Sequence, residues 1–159
     1  MLALAFNVGD LRLAIPVSAV AEILPRRELR PVALAPPGVV GLLALRGTLS
    51  PVVDLCRLLL ARDCRPLRSS RLIVVRLPHG DSHRRIALMA ENVLDLVPLG
   101  DTLPGLPAEG ATWLGEHLAG PPGLPQLMDP RQLMPAELAS LYRDHLDADD
   151  STPAPDVAA

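Results

Sequence analysis

Side chains able to carry out acid–base, nucleophilic or metal chemistry are few in this chain. The four histidines are His79, His83, His117 and His145. The first two flank a short polar segment typical of a hairpin turn, where a histidine is more often solvated than bound to a metal. Ser50 lies near Asp54, but the chain has no Gly-x-Ser-x-Gly motif, and a triad cannot be identified from spacing alone. We therefore expect no catalytic residue and no metal-binding histidine.

The cysteines and the basic residues exclude further chemistries. Cys56 and Cys64 are eight residues apart, which is not the spacing of a thiol redox or zinc motif, and Cys56 is expected to be a small buried apolar side chain. All fifteen basic residues are arginine. Without lysine the chain cannot form a Walker-type phosphate loop or a Schiff base. The sequence predicts no enzyme activity, no metal and no cofactor.

Charge is unevenly distributed along the chain, whose net charge is -3. Segment 57–85 has eight arginines and two acids, whereas segment 86–159 has twelve acids and two arginines. The arginine-rich segment has two interpretations: a basic patch for nucleic acid, or a solvated loop and strand face. Base stacking is poorly supported, because Phe6, Trp113 and Tyr142 are the only aromatic residues, and Trp113 is expected in the core.

Short apolar runs, separated by 11 Gly and 18 Pro, predict a mainly β fold. Eight strands are expected, at residues 2–8, 12–15, 39–46, 49–53, 71–77, 85–89, 92–97 and 124–128. Near-continuous apolar stretches such as 39–45 indicate strands covered on both faces, as when two small barrels pack together. Segment 99–111 is rich in Pro and Gly and is expected to be a long loop.

Three short helices are also expected. Ser18 is a candidate N-cap for a turn or two within 17–24, Asp54 can cap residues 55–60, and Pro135 can open a C-terminal helix at 136–145. Residues 147–159 have too little apolar surface to offset their ordering entropy, so we expect a disordered acidic tail after a single domain at 1–146. No positive leader precedes the first strand and no apolar run reaches 18 residues, which predicts a cytoplasmic protein with no membrane insertion.

The densest turn signal lies between two apolar strands at Arg46-Gly47, where Gly can adopt the positive φ of a tight turn. Arg46 is the only charged residue between Arg30 and Asp54, so an arginine at this position needs a partner. Glu22, the only acid between Asp10 and Glu28, is the candidate for a charge-assisted pair.

These residues resemble a known family. Segment 36–55 is similar to the CheW-domain signature, in which an apolar strand ends in Leu-Arg-Gly, here at 45–47, and the next ends in Pro-Val-Val-Asp-Leu, here at 51–55. Upstream, segment 13–24 resembles the family segment that contains Val-x-Glu-Ile, and the spacing from Glu22 to Arg46 agrees without a gap. The resemblance extends over residues 2–134.

The resemblance implies two intertwined five-stranded SH3-like barrels, no catalytic activity, and a scaffold that couples methyl-accepting chemotaxis-type receptors to a CheA-type histidine kinase. It places Val20, Glu22, Arg46 and Gly47 at the contact with the receptor's helical tip. It places Val17 and Ile23 on a surface of the first barrel that contacts the regulatory domain of the kinase.

Three positions depart from the family pattern. Ala44 replaces the frequent Asn before Leu-Arg-Gly, and Glu91 stands where the family has Asp. Segment 111–119 is similar to CheW-like members of chemosensory systems that control cyclic-di-GMP output. The resemblance therefore leaves open whether the output is flagellar motility. It also leaves a small-barrel nucleic-acid-binding protein using 57–85 as the alternative function.

Overall fold

The computed structural model describes residues 1–79, 82–106 and 112–133, and within them the chain is mainly β, as predicted. The strands are β1 (Leu2–Val8), β2 (Leu11–Pro16), β3 (Val20–Pro25), β4 (Val39–Leu45), β5 (Thr48–Asp54), β6 (Arg71–His79), β7 (Ser82–Pro98), β8 (Thr102–Leu103), β9 (Leu114–Leu118) and β10 (Gln126–Met128). One α-helix, α1 (Leu55–Leu60), and two 3-10 turns, Val17–Ala19 and Pro130–Gln132, complete the described elements.

Strand β7 is 17 residues long and belongs to two sub-sheets. Its first half joins the order β3-β6-β7-β5-β4, and its second half joins the order β7-β1-β2-β10-β9-β8. We call these the first and second barrels. The chain begins in the second barrel, builds the first barrel with β3 to β6, and returns through β7. The two units are therefore intertwined, and neither is a continuous segment.

Backbone pairing closes the first barrel at its open edges, β3 and β4. The segment that follows β3 pairs with β4 at Arg30 and Leu42, through two backbone hydrogen bonds of 2.9 and 2.8 Å. Gly41, beside this bridge, has no room for a Cβ, because an added Cβ would lie 2.8 Å from the Arg30 carbonyl oxygen. The close approach of the two edges thus requires glycine at this position.

Both faces of β1 are buried, and the two faces carry side chains of different size. Leu4 and Phe6 point into the main core, which extends through the first barrel, whereas Ala3 and Ala5 contribute to a small second core. Side chains alternate between the faces of a strand, so a strand shared by two cores needs apolar residues at every position. This explains the continuous apolar run at the start of the chain.

The predicted helix at 17–24 is wrong. Residues Val17–Ala19 form a single 3-10 turn, and β3 follows at once, pairing with β6 from Val20 to Pro25. The apolar residues at 17, 20, 21 and 24 fit helical spacing, but β-branched Val20 and Ile23 favour a strand. Pairing with β6, whose residues 72–75 are fully buried, satisfies the backbone of β3, and this tertiary contact overrides the local pattern.

Other boundaries differ less from expectation. The expected strands 85–89 and 92–97 form one continuous strand, β7. Asn92 adopts a left-handed φ of 47°, so the chain bends at this residue without leaving the sheet. Strand β8 lies within the segment expected to be a loop, and β9 was not expected. Trp113 is buried, as predicted. The predicted helix 136–145, the tail 147–159 and the domain boundary at 146 lie outside the described residues.

The predicted helix at Leu55–Leu60 is confirmed, and Asp54 is its N-cap. The Asp54 carboxylate accepts hydrogen bonds from the backbone N–H of Cys56 at 2.9 Å and of Arg57 at 3.2 Å. It also accepts from the N–H of Cys64 at 2.9 Å, in the loop that follows α1. The aspartate that ends β5 therefore fixes both the start of the helix and the return of the chain after it.

A second buried carboxylate, Glu91, lies at the bend of β7 and is only 3% exposed. Its oxygens accept hydrogen bonds from the N–H of Gly9 at 3.1 Å, from Arg62 at 3.0 Å, and from the thiol of Cys56 at 3.3 Å. Desolvation raises the pKa of Glu91, but these hydrogen bonds outweigh it and hold the pKa below its usual range. One charged group thus links the β1–β2 turn, α1 and β7.

The turn between β4 and β5 has two residues, Arg46 and Gly47, flanked by the pair Leu45 and Thr48. Both turn residues have positive φ, 51° and 82°, which is the geometry of a type I′ turn. The Thr48 hydroxyl donates to the Leu45 carbonyl at 2.9 Å and fastens the base of the turn. The predicted hairpin is confirmed, and it holds the Arg46 side chain at the tip.

We predict that Glu91→Gln lowers the free energy of unfolding by about 2 kcal/mol, because Gly9, Arg62 and Cys56 lose a charged acceptor inside the protein. The folded-state pKa of Glu91 lies below the unfolded value near 4.3, so this stabilisation is complete above about pH 5. It is lost as pH falls through the folded-state pKa. Urea unfolding of both proteins from pH 3 to 7 measures the difference.

Glu28→Gln is the matched control, because Glu28 is exposed, and its substitution should change stability by less than about 0.5 kcal/mol at every pH. A difference between wild type and Glu91→Gln that stays constant down to pH 3 would contradict the assigned direction of the pKa shift.

A second prediction concerns the turn. An added Cβ meets nothing within 4 Å at Gly47 or at Gly100, but only Gly47 has a left-handed φ. Gly47→Ala should therefore cost about 1–2 kcal/mol, whereas Gly100→Ala should change stability by less than about 0.5 kcal/mol. Thermal unfolding of the two variants checks this, and equal effects would mean that the turn does not require positive φ.

Candidate protein-interaction site

Glu22 and Arg46 form the ion pair expected from the sequence. The Arg46 Nη2 lies 3.2 Å from the Glu22 Oε2, although 24 residues separate the two positions. Glu22 lies on β3 and Arg46 follows β4, so the pair joins the two edge strands of the first barrel beside the seam closed by Arg30 and Leu42. Barrel closure therefore brings the two signature segments together.

The pair is exposed on one side only. The Arg46 side chain is 67% exposed, whereas that of Glu22 is 26% exposed. An ion pair of this exposure contributes about 0–1 kcal/mol to stability. The left-handed backbone of a non-glycine residue costs about as much or more. Arginine at this position is therefore not explained by the stability of the fold, and its guanidinium donors remain accessible to another molecule.

The other predicted site residues lie on or next to β3. Val20 begins the strand, is half-buried, and accepts a hydrogen bond at its carbonyl from Arg76 at 3.2 Å. Ile23 is 45% exposed, and Val17, in the 3-10 turn, is 40% exposed. Because side chains alternate along a strand, Ile23 lies on the opposite face of β3 from Glu22. Ile23 and Glu22, predicted for different partners, thus lie on different faces of this strand.

A groove lies beside Val20, between the first and second barrels. Its volume is about 480 Å³, and its lining is mostly apolar, with Arg76 and the paired Asp129 and Arg131 as its charged residues. Residues that line it include Met1, Pro16, Ala19, Leu127, Met128 and Arg76. The Arg76 that lines the groove is the residue bound to the Val20 carbonyl. The sequence did not predict this groove, since it forms where β2, β6 and β10 come together.

Four of the eight arginines in segment 57–85 pair with acids, donate to backbone carbonyls or line the groove. Arg57 pairs with Asp63 at 2.6 Å, and Arg62 pairs with the buried Glu91 at 3.0 Å. Arg71 donates to backbone carbonyls, and Arg76 lies at the groove. These cations lie on a helix, a loop and a strand, and several are neutralised within the protein. The alternative of a nucleic-acid-binding patch therefore gains no support from their placement.

The histidines, Ser50 and the cysteines were the residues considered first for chemistry. His117 is exposed on β9, and His145 lies outside the described residues. Cys56 and Cys64, by contrast, are both buried and free, and the fold brings them together despite their unfamiliar spacing. Ser50 is buried within β5. Across the described residues, no helix is both long and apolar enough to cross a bilayer.

Known proteins are similar in sequence to this chain. The family model described as "CheW-like domain" matches residues 2–117. "Protein FrzA" of Myxococcus xanthus is 36% identical over 118 residues, which cover 72% of this chain and 69% of that protein. "Chemotaxis protein CheW" of Rhizobium meliloti (strain 1021) is 30% identical over 98 residues, covering 62% of this chain and 61% of that protein.

A solved structure shares the fold. The crystal structure of the scaffolding protein TtCheW from Thermoanaerobacter tengcongensis aligns with a TM-score of 0.74, covering 86% of this chain and 89% of that one, at 16% sequence identity. The prediction of two intertwined SH3-like barrels is confirmed. Together with the family match over most of the chain, these relationships show that the chain belongs to the CheW-like domain family and is a non-enzymatic adaptor of chemosensory signal transduction.

Proposed function

We propose that this adaptor binds the helical tip of a methyl-accepting chemotaxis-type receptor through Val20, Glu22, Arg46 and Gly47. The observation that carries the proposal is the ion pair between Glu22 and Arg46, which places an exposed guanidinium at the tip of a rigid turn. Glu22 orients this group and leaves donors free for a carboxylate or a carbonyl of the partner. Gly47 keeps the tip narrow because it has no side chain, and nothing lies within 4 Å of the position that a Cβ would occupy.

The apolar groove beside Val20 extends the proposed surface. An amphipathic helix binds by placing apolar side chains in such a groove while charged groups at the rim set its orientation. Arg76 connects the groove to the Val20 carbonyl, so the ion pair and the groove lie on adjoining parts of the molecule. A helical receptor tip with apolar and acidic side chains fits both features.

We predict that Arg46→Asn weakens binding of a cognate receptor-tip fragment at least about tenfold, because a central guanidinium contact is lost. Asn tolerates the left-handed region, so stability should stay constant or rise by up to about 1 kcal/mol. Calorimetric titration measures the affinity, and thermal unfolding measures the stability. A gain in stability with a loss of binding would separate a functional arginine from a structural one.

Arg12→Asn is the matched control. Arg12 also forms an ion pair at the surface, 2.7 Å from Asp95, but on the second barrel. This variant should bind the receptor fragment with wild-type affinity. Equal loss in both variants would indicate a general electrostatic effect, and unchanged binding in Arg46→Asn would refute the proposed contact.

The second proposed partner is the regulatory domain of a CheA-type histidine kinase, bound through Val17 and Ile23. Both side chains are apolar and substantially exposed on the first barrel. Because Ile23 lies on the other face of β3 from Glu22, kinase and receptor can occupy the adaptor together. Simultaneous occupancy is what an adaptor that couples the two proteins requires.

We predict that Ile23→Arg abolishes measurable binding to the kinase regulatory domain and leaves affinity for the receptor fragment within about twofold, because it places a charge in an apolar contact. Leu11→Arg is the control, since Leu11 is 44% exposed on the second barrel and should tolerate the change. Analytical ultracentrifugation of the mixed proteins measures both complexes. Loss of receptor binding in Ile23→Arg would show that the two surfaces are not separate.

The proposed partners also indicate where the protein works. The receptor tip and the kinase are cytoplasmic in the systems that the sequence resembles, so we propose a cytoplasmic location.

A further inference from the structure

Behind α1, the fold brings three potential metal ligands into one buried cluster. An Oδ atom of Asp54 and the Sγ atoms of Cys56 and Cys64 all lie within 4.8 Å of one another. All three residues are buried, at most 2% exposed. The left-handed C-cap at Ala61 turns the chain back after α1 and delivers Cys64 to Asp54. None of this is visible in the spacing of eight residues between the cysteines.

We propose that Asp54, Cys56 and Cys64 bind a thiophilic divalent cation, for which Zn²⁺ is the best match. Zinc accepts thiolate and carboxylate ligands at about 2.0–2.3 Å, and a small contraction of this cluster supplies three of them. Binding replaces two S–H bonds by two Zn–S bonds and releases two protons to solvent. The Glu91 carboxylate accepts from the Cys56 thiol at 3.3 Å and lies outside this cluster of three.

Charge supports this assignment. Two thiolates and the Asp54 carboxylate carry three negative charges, and a divalent cation neutralises two of them. Arg26, which donates to the Cys64 carbonyl at 3.3 Å, lies close enough to offset the remaining charge.

The carboxylate of Asp54 retains the capacity to coordinate. Its Oδ1 accepts from the two helical N–H groups, whereas its Oδ2 accepts from the N–H of Cys64. A carboxylate oxygen has two lone pairs, so Oδ2 can bind a metal while it keeps this hydrogen bond. The bound ion holds the loop after α1 against the end of β5. This site is separate from the surfaces proposed for receptor and kinase.

The test is titration of the reduced full-length protein with Co²⁺ as a spectroscopic probe. We expect a single Co²⁺ per chain with a near-ultraviolet sulfur-to-cobalt charge-transfer band, which Zn²⁺ displaces. The band reports sulfur ligands, so binding to histidine does not produce it. Cys64→Ser should abolish the band, and Asp63→Asn, which changes an exposed neighbouring acid, should retain it.

Two measurements on the wild type keep the test independent of how well the variants fold. Zn²⁺ should raise the melting temperature, and chelation should reverse the increase. A sample with two free thiols that shows neither the band nor the shift would overturn the proposal. So would a Cys56–Cys64 disulfide formed before metal is added, because the pair would then be a redox couple and not a metal site.

Discussion

The carboxylate of Glu91 is the interaction on which the arrangement of the two barrels depends. It is buried at the bend of a strand that both barrels share, and it accepts from the β1–β2 turn, from α1 and from Arg62 in the following loop. An unpartnered charge in this position would be strongly destabilising. These donors, together with the N–H of Arg65 at 3.3 Å, must therefore converge, and their convergence sets how the second barrel's hairpin lies against the first barrel. The bend at Asn92 places the carboxylate where they can reach it.

The same architecture explains why the interaction surface lies where it does. The first barrel closes by joining its edge strands, and the Glu22–Arg46 pair lies at that seam. At this seam, residues far apart in the chain meet and remain accessible. Arg46 has a left-handed backbone conformation, which is unfavourable for a residue with a side chain. Its ion pair with Glu22 adds little to the stability of the fold. A strained backbone conformation that adds no stability to the fold is typical of residues that serve in binding.

Much of this could be predicted from the chain. The turn at Arg46-Gly47, the cap at Asp54 and most strands follow from patterns that act within a few residues, namely Gly at positive φ, a carboxylate before a helix and apolar runs between turns. The pairing of Glu22 with Arg46 could be predicted because charged residues are few in these segments. Glu22 is the only acid between Asp10 and Glu28, and Arg46 is the only charged residue between Arg30 and Asp54. The helix expected at 17–24 failed because its apolar spacing also fits a strand, and pairing with β6 decides between them.

The sequence by itself determined the fold class, the family and the identity of the exposed ion pair, because these depend on local turn chemistry and on residue types that stand out from an apolar background. Only the tertiary structure decided which strand is shared, where the groove opens, and that Cys56 and Cys64 lie beside Asp54. These features require segments distant in the chain to meet. Their positions are set by barrel closure and by the burial of Glu91, which no local pattern contains.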